Sequence, residues 1–246
     1  MKLKLLIAAL SVAVSGFAIA DSYQSEISIG ASRYDENGIN SKSDSYILEG
    51  IYHFNAVDTT NLPLAEAAYL GKNSNVFAGI IDVPRHNDNP SQQSYIVGAE
   101  FYIPENFLYV RAGAVRHKVR GGQDNDWFTA VGVTPIDGLL VTTQYFHDAG
   151  YDANIHAKYV TDIGNGQFIN VEAGVADTDS GTSALIGGDY YIDNSFSVGA
   201  EVVDSDGGDE YSLRTRKFFS ESFSGELSYT DTEAGNLVNL GLAVRF

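Results

Sequence analysis

From Ser22 to the carboxy terminus the chain alternates apolar and polar residues, in runs separated by short turns rich in Gly, Asn and Asp. A β-strand turns successive side chains to opposite faces, so each run has one apolar and one polar face. In the last run Val238, Leu240, Leu242, Val244 and Phe246 share one face, and Asn239, Gly241, Ala243 and Arg245 the other. Phe196, Val198, Ala200 and Val202 oppose Ser197, Gly199 and Glu201 in the same way. Phe223, Leu227 and Tyr229 likewise oppose Ser224, Glu226 and Ser228.

The pattern predicts strands over Ser22–Arg33, Asp44–Phe54, Asn75–Val83, Gln93–Ile103, Phe107–Val119, Asp126–Pro135 and Leu139–His147. It continues through Tyr151–Asp162, Gln167–Asp177, Thr182–Ile192, Ser195–Asp204, Glu210–Phe219, Ser222–Thr230 and Asn236–Phe246. That is about 14 strands, with 12 and 16 as the neighbouring even counts. Runs of roughly 9 to 11 residues suit a tilted strand crossing an outer membrane, whereas sandwich strands average about 5 or 6 and turn apolar faces inward. Here the second face carries charges and small polar groups. The predicted fold is therefore all-β, a transmembrane antiparallel up-and-down β-barrel with lipid outside and a polar lumen.

The connections alternate in character. Aromatics flank one set: Tyr102 and Phe107 around Pro104-Glu105-Asn106, Tyr190 and Tyr191 before Phe196, and Phe218 and Phe219 before Phe223. These predict a periplasmic girdle. The other set is acidic and glycine-rich: Asp35-Glu36-Asn37-Gly38, Asp124-Asn125-Asp126, Asp177 to Gly181, and Asp204 to Glu210. It is expected outside, near a second belt of Tyr46, Tyr95, Trp127, Tyr145, Tyr211 and Tyr229. An even strand count places both termini in the periplasm. No outer connection is long enough to fold into the lumen as a constriction.

The longest stretch without alternation, Asn55 to Ser74, falls on the predicted periplasmic side. Pro63 followed by Leu64-Ala65-Glu66-Ala67-Ala68-Tyr69-Leu70 predicts a short helix at the inner mouth, because good helix formers follow a proline suited to a first turn. The alternative is an early start of the third strand, since short apolar runs fit either state.

Residues 1–20 read as a secretory signal peptide, with Lys2 and Lys4, an apolar run from Leu5, and Ala18-Ile19-Ala20 before Asp21. The apolar run is short of the roughly 20 residues of a spanning helix, so cleavage is expected, leaving a barrel over 21–246. The 246-residue chain carries 15 basic and 32 acidic residues, a net −17, and loses two lysines with the leader, giving 13 − 32 = −19. So acidic a protein does not suit nucleic acid as a partner. Cysteine is absent, which excludes disulfides and thiolate metal sites. Five prolines against 25 glycines, with 13 Phe and 15 Tyr, is a strand-and-turn composition.

Tyr52-His53-Phe54-Asn55-Ala56-Val57-Asp58-Thr59, followed by Pro63-Leu64-Ala65-Glu66-Ala67-Ala68-Tyr69-Leu70, resembles a Tyr-x-Phe-x-Pro-Val-Asp … Pro-Leu-Ala-Glu-Ala-Ala-Phe-Leu stretch. That stretch belongs to the general porin family of gammaproteobacterial outer membranes. Ala56 and Tyr69 depart from the family's proline and phenylalanine. The resemblance implies an outer-membrane pore, with no established substrate and no catalytic residues. The terminal Phe246 resembles the signal that the barrel assembly machinery reads.

The alternation places Glu26, Glu49, His53, Glu100, Arg111, His156, Lys158, Glu172, Asp189, Glu201, Arg214, Arg216, Glu226 and Arg245 on the lumenal face. Such charges can set ion selectivity, or pair across strands and hold the wall. Acidic members outnumber basic ones, which predicts weak cation preference. Pro63, Leu64, Glu66 and Tyr69 mark the pore mouth. The five histidines, His53, His86, His117, His147 and His156, sit in no hydrolase motif, and His147-Asp148 would point to opposite faces. Asp204 to Glu210 has the carboxylate density of a calcium loop without its ligand spacing, so no metal or cofactor is expected. The expected function is passive diffusion of ions and small hydrophilic solutes across the outer membrane of a Gram-negative bacterium. The alternative is a structural or adhesive barrel plugged by the Asn55 to Ser74 segment. Outer-membrane lipid, lipopolysaccharide and the assembly machinery are the expected partners. The solute, the pore radius and the oligomeric state have no signature in the sequence.

Overall fold

The computed structural model of the chain describes residues 22–38, 42–85, 90–103, 105, 107–119, 121–147, 153–178 and 181–246. The leader expected over 1–20 lies outside the described residues, as do His86 and Asp148.

Strand-length alternation produces one closed antiparallel barrel in which each strand pairs with its chain neighbours. In order these are β1 (Ser22–Glu36), β2 (Lys42–Asp58), α1 (Ala67–Leu70), β3 (Asn75–Val83), β4 (Gln92–Ile103), β5 (Leu108–Val119), β6 (Gly122–Val133) and β7 (Leu139–Phe146). There follow β8 (Asn154–Gly164), β9 (Gln167–Thr178), β10 (Gly181–Asp193), β11 (Phe196–Ser205), β12 (Glu210–Ser220), β13 (Phe223–Thr232) and β14 (Gly235–Arg245). Closure removes every sheet edge, the condition for placing backbone polar groups in a hydrocarbon layer. The seam is β1 on β14, with Ile27 opposite Val244 and Glu26 opposite Arg245. Phe246 extends it: its amide donates to the Ser25 carbonyl at 2.9 Å, and its own carbonyl accepts from the Ser25 amide at 2.7 Å.

One face of the wall is a continuous exposed apolar surface, with Leu213 at 64%, Ile186 at 63% and Val97 at 58% exposure. A soluble protein does not leave so large an apolar surface uncovered. Lipid is the solvent that suits it. The predicted outer belt lies on this face, where Trp127 packs against Tyr145 at 5.2 Å between ring centroids and Tyr46, Tyr211 and Tyr229 are exposed.

The structure moves two strand boundaries, places the short helix of the 55–74 segment and splits one girdle. β2 runs four residues past Phe54, to Asp58, and β6 begins at Gly122, so Asp124-Asn125-Asp126 is strand. The helix expected from Pro63 is a single turn, Ala67–Leu70. The predicted periplasmic girdle is split. Phe219 and Phe223 stack outside at 5.5 Å, whereas Tyr191 and Phe218 are buried inside and Tyr102 packs on the buried Tyr109. The inward set follows from spacing by two: Phe218 shares a face with Arg214 and Arg216, and Tyr191 with Asp189.

Candidate functional site

The predicted lumenal residues all fall on the face opposite the exposed apolar rows. From β8 to β13 they form a continuous charged band. Arg214 donates from Nε and Nη2 to the two carboxylate oxygens of Asp189, both at 2.8 Å, and its Nη1 lies 3.5 Å from Glu201. Asn170 links Asp189, at 3.2 Å, to Glu172, at 2.7 Å. Glu172 in turn faces Lys158 at 3.7 Å and His156 at 3.4 Å. Arg216 donates from Nε to Glu226 at 2.7 Å. Most of this band is self-compensated charge.

The opposite arc differs. Phe77, Gly98, Gly113 and Phe128 stand in one cross-strand row, and the two rings lie over the two glycines. Arg111 sits between the rings, 4.8 Å from the Phe77 centroid and 5.4 Å from that of Phe128. Glu100 is its cross-strand neighbour, but that carboxylate accepts from Tyr109 and Asn75 instead, each at 2.9 Å. Among the described residues Arg111 has no ion pair, and its Nε has no hydrogen-bond partner. Glu49 is exposed to the lumen and, among the described residues, has no ion-pair partner.

The mouth at the end carrying both termini is crossed by the chain between β2 and β3. Pro63 is fully buried. Leu64 receives a hydrogen bond from Arg245 Nη1 on its carbonyl at 2.7 Å and donates its amide to the Asn194 carbonyl at 2.8 Å. Glu66 is buried, accepts from the Tyr191 hydroxyl at 2.6 Å and pairs with Lys158 at 2.9 Å. The Tyr69 hydroxyl lies 2.9 Å from the Gly138 carbonyl and 2.8 Å from that of Lys158, and the Lys158 ammonium caps its ring at 4.9 Å. Burial pushes the Tyr69 phenol well above its usual range, so it remains a donor at neutral pH. Apolar contacts match this path. Ala67 packs on Tyr23 and Val57, while Ala65, Tyr69 and Leu70 pack on Val160, Phe168 and Tyr191. β1 and β8 are on opposite sides of the ring, so the segment spans the opening.

Arg245 joins wall and mouth. It is 6% exposed, donates to Glu26 at 2.5 Å and to Leu64, and lies between the rings of Tyr23 and Phe218 at 4.4 and 4.5 Å. Its guanidinium is engaged in closure and also borders the inner cavity beside Glu26 and Glu226.

The sequence model of the family described as "Putative general bacterial porin" matches residues 1–136 and 133–246. The chain belongs to this porin family. No curated protein matches the chain. Among solved structures, Omp33 of Acinetobacter baumannii is 24% identical with a TM-score of 0.77, covering 92% of this chain and 99% of that one. A bacterial polysaccharide outer membrane secretin is 11% identical with a TM-score of 0.50, covering 91% and 99%. A KdgM porin in complex with disordered oligogalacturonate is 8% identical with a TM-score of 0.47, covering 90% and 99%. Omp33 shares the fold.

Porins of this family and fold are in general not enzymes. This porin nonetheless places Ser94, His117 and Asp124 in one inward row near the end opposite the termini, with Ser94 Oγ 2.8 Å from His117 Nδ1. Asp124 does not complete a triad: it accepts from the Asn125 amide and makes no hydrogen bond to the histidine. Sequence reasoning missed this row, the Arg111 sandwich, and Tyr191 as the anchor of Glu66. Tyr191 lies two residues from Asp189, and Ser94 and His117 each lie six from Glu100 and Arg111, so counting in twos places these three inside.

Proposed function

We propose that this porin is a passive diffusion channel for ions and small hydrophilic solutes, weakly cation-preferring, with its terminal end in the periplasm. The observation that carries the reading is the combination of an apolar exterior with an inner face of charged side chains. Water solvates such a face, and mobile ions experience it. Among the described residues, Glu49 has no cation paired with it and Glu100 is held by neutral donors. Against them stands Arg111, so the net preference is small.

Reversal potentials in planar bilayers under a salt gradient test this. The expected sign is cationic, and Glu49→Gln moves the potential toward zero. Clear anion preference in the unmodified protein would refute the selectivity. The mouth segment supports a second reading, a barrel closed at its inner end, because Leu64, Glu66 and Tyr69 are fastened to the far wall. In the channel reading those fastenings narrow the mouth and regulate flow. In the second reading no current flows through folded protein.

A further inference from the structure

The cations on the outside of the barrel are unevenly placed. At the end opposite the termini, the outward rows of β1 to β5 carry Arg33, Lys42, Arg116 and Lys118, with Arg85 just beyond β3. At the same end, β9 to β13 and their connections present Asp177, Asp204, Asp209 and Asp231. Between Arg120 and Glu210 the sequence contains one basic residue, Lys158, and it faces the lumen.

Among the described residues, Arg116 and Lys118 of this arc have no carboxylate partner. Arg33 pairs with Asp44 at 2.8 Å, and Lys42 pairs with Asp35. Arg116 instead donates to the Asn125 side-chain oxygen at 2.7 Å, and the Lys118 ammonium lies 4.9 Å from the Tyr95 ring centroid. They stand two apart on one face of β5, beside an open recess formed with Arg85, Ser91 and Gln93. Tyr95 of β4 lies beside Arg116; next on the same row are Ala114, between Val97 of β4 and Trp127 of β6, and Ala112, between Ala99 and Thr129. Cations therefore sit above aromatics, and aromatics above a shallow apolar trough. That sequence of surfaces fits an amphiphile with a phosphorylated headgroup and acyl chains.

We propose that Arg116 and Lys118 bind a phosphate of lipopolysaccharide, the phosphorylated glycolipid of the outer leaflet, whose acyl chains lie over Ala112, Ala114 and Trp127. Guanidinium and ammonium groups make charge-assisted bonds to phosphate oxygens, and Arg116 can do so bidentately. The acidic arc across the barrel repels the same headgroup, so the lipid docks on one side.

The test is binding of lipid A to the folded full-length barrel in detergent, read by native mass spectrometry against dephosphorylated lipid A and phosphatidylglycerol. Arg116→Gln with Lys118→Gln should lower lipid A affinity on the order of tenfold, about 1.4 kcal/mol. Lys72→Gln, at the other end, should leave it unchanged. Unmodified protein should bind dephosphorylated lipid A and phosphatidylglycerol much more weakly than lipid A. Heat-modifiable migration on gels identifies folded protein, and Lys118→Gln alone serves if the double variant does not fold. Equal lipid A affinity in the variants, or equal binding of dephosphorylated lipid A or phosphatidylglycerol, would overturn the proposal. Conductance is not read, so the channel account stands or falls separately.

Discussion

Arg214 reaches over an entire strand to hold Asp189. The two belong to β12 and β10, and Gly199 of β11 lies in register between them. A Cβ on Gly199 would fall 2.1 Å from an Asp189 carboxylate oxygen, so the missing side chain is what allows the bidentate pair. Gly199→Ala should therefore displace the carboxylate and lower the free energy of unfolding in urea by about 2 kcal/mol, the scale of a broken partly buried charge pair. An unchanged urea midpoint would mean that the pair contributes nothing to the wall.

Arg111 is the inner cation whose counter-charge is satisfied elsewhere. Replacing it with glutamine leaves Glu100 held by Tyr109 and Asn75 and removes one positive charge from the lumen. Cation preference should rise in Arg111→Gln, measured as a larger reversal potential under the same salt gradient. Glu49→Gln should move it the opposite way.

The mouth segment depends on Glu66, whose carboxylate is buried between Lys158 and Tyr191. Glu66→Gln leaves Lys158 with Glu172 as its ion-pair partner and weakens the anchor without a change of size. Tyr69→Phe removes the hydroxyl at Gly138 and Lys158. Each variant should raise mean conductance or the frequency of openings, and the pair together more than either alone.

Phe246 supplies two carbonyl bonds and one amide bond to β1, while its ring is exposed on the apolar outside. Phe246→Ala retains the backbone ladder. It should refold in detergent with little loss yet accumulate poorly in the outer membrane, as read by the heat-modifiable fraction in isolated membranes. Normal accumulation would remove the ring from the assembly signal.

Most strands were legible because a barrel wall in lipid enforces strict alternation wherever it crosses the membrane. Asn75–Val83 is identical in both descriptions, and the end of β4 at Ile103 agrees as well. Alternation fails where that constraint lapses. The β1–β2 ladder shifts register between Tyr23 and Ser25, which hides the extension of β2 through Val57 and Asp58. The start of β6, Gly122 to Asn125, is polar on both faces and carries no periodic signal. The lumenal charges were legible by counting in twos. Their pairing was not, because it depends on which neighbour is glycine: Gly199 lets Arg214 cross to Asp189, and Gly98 and Gly113 make room for the rings beside Arg111.

The most direct test of the channel account is single-channel recording of the purified barrel in planar bilayers, comparing the full protein with a variant lacking Leu64 to Leu70. The account predicts discrete steps in the full protein and larger steps in the deletion, with folding of both shown by heat-modifiable migration. Folded protein that passes no current in either form would contradict it.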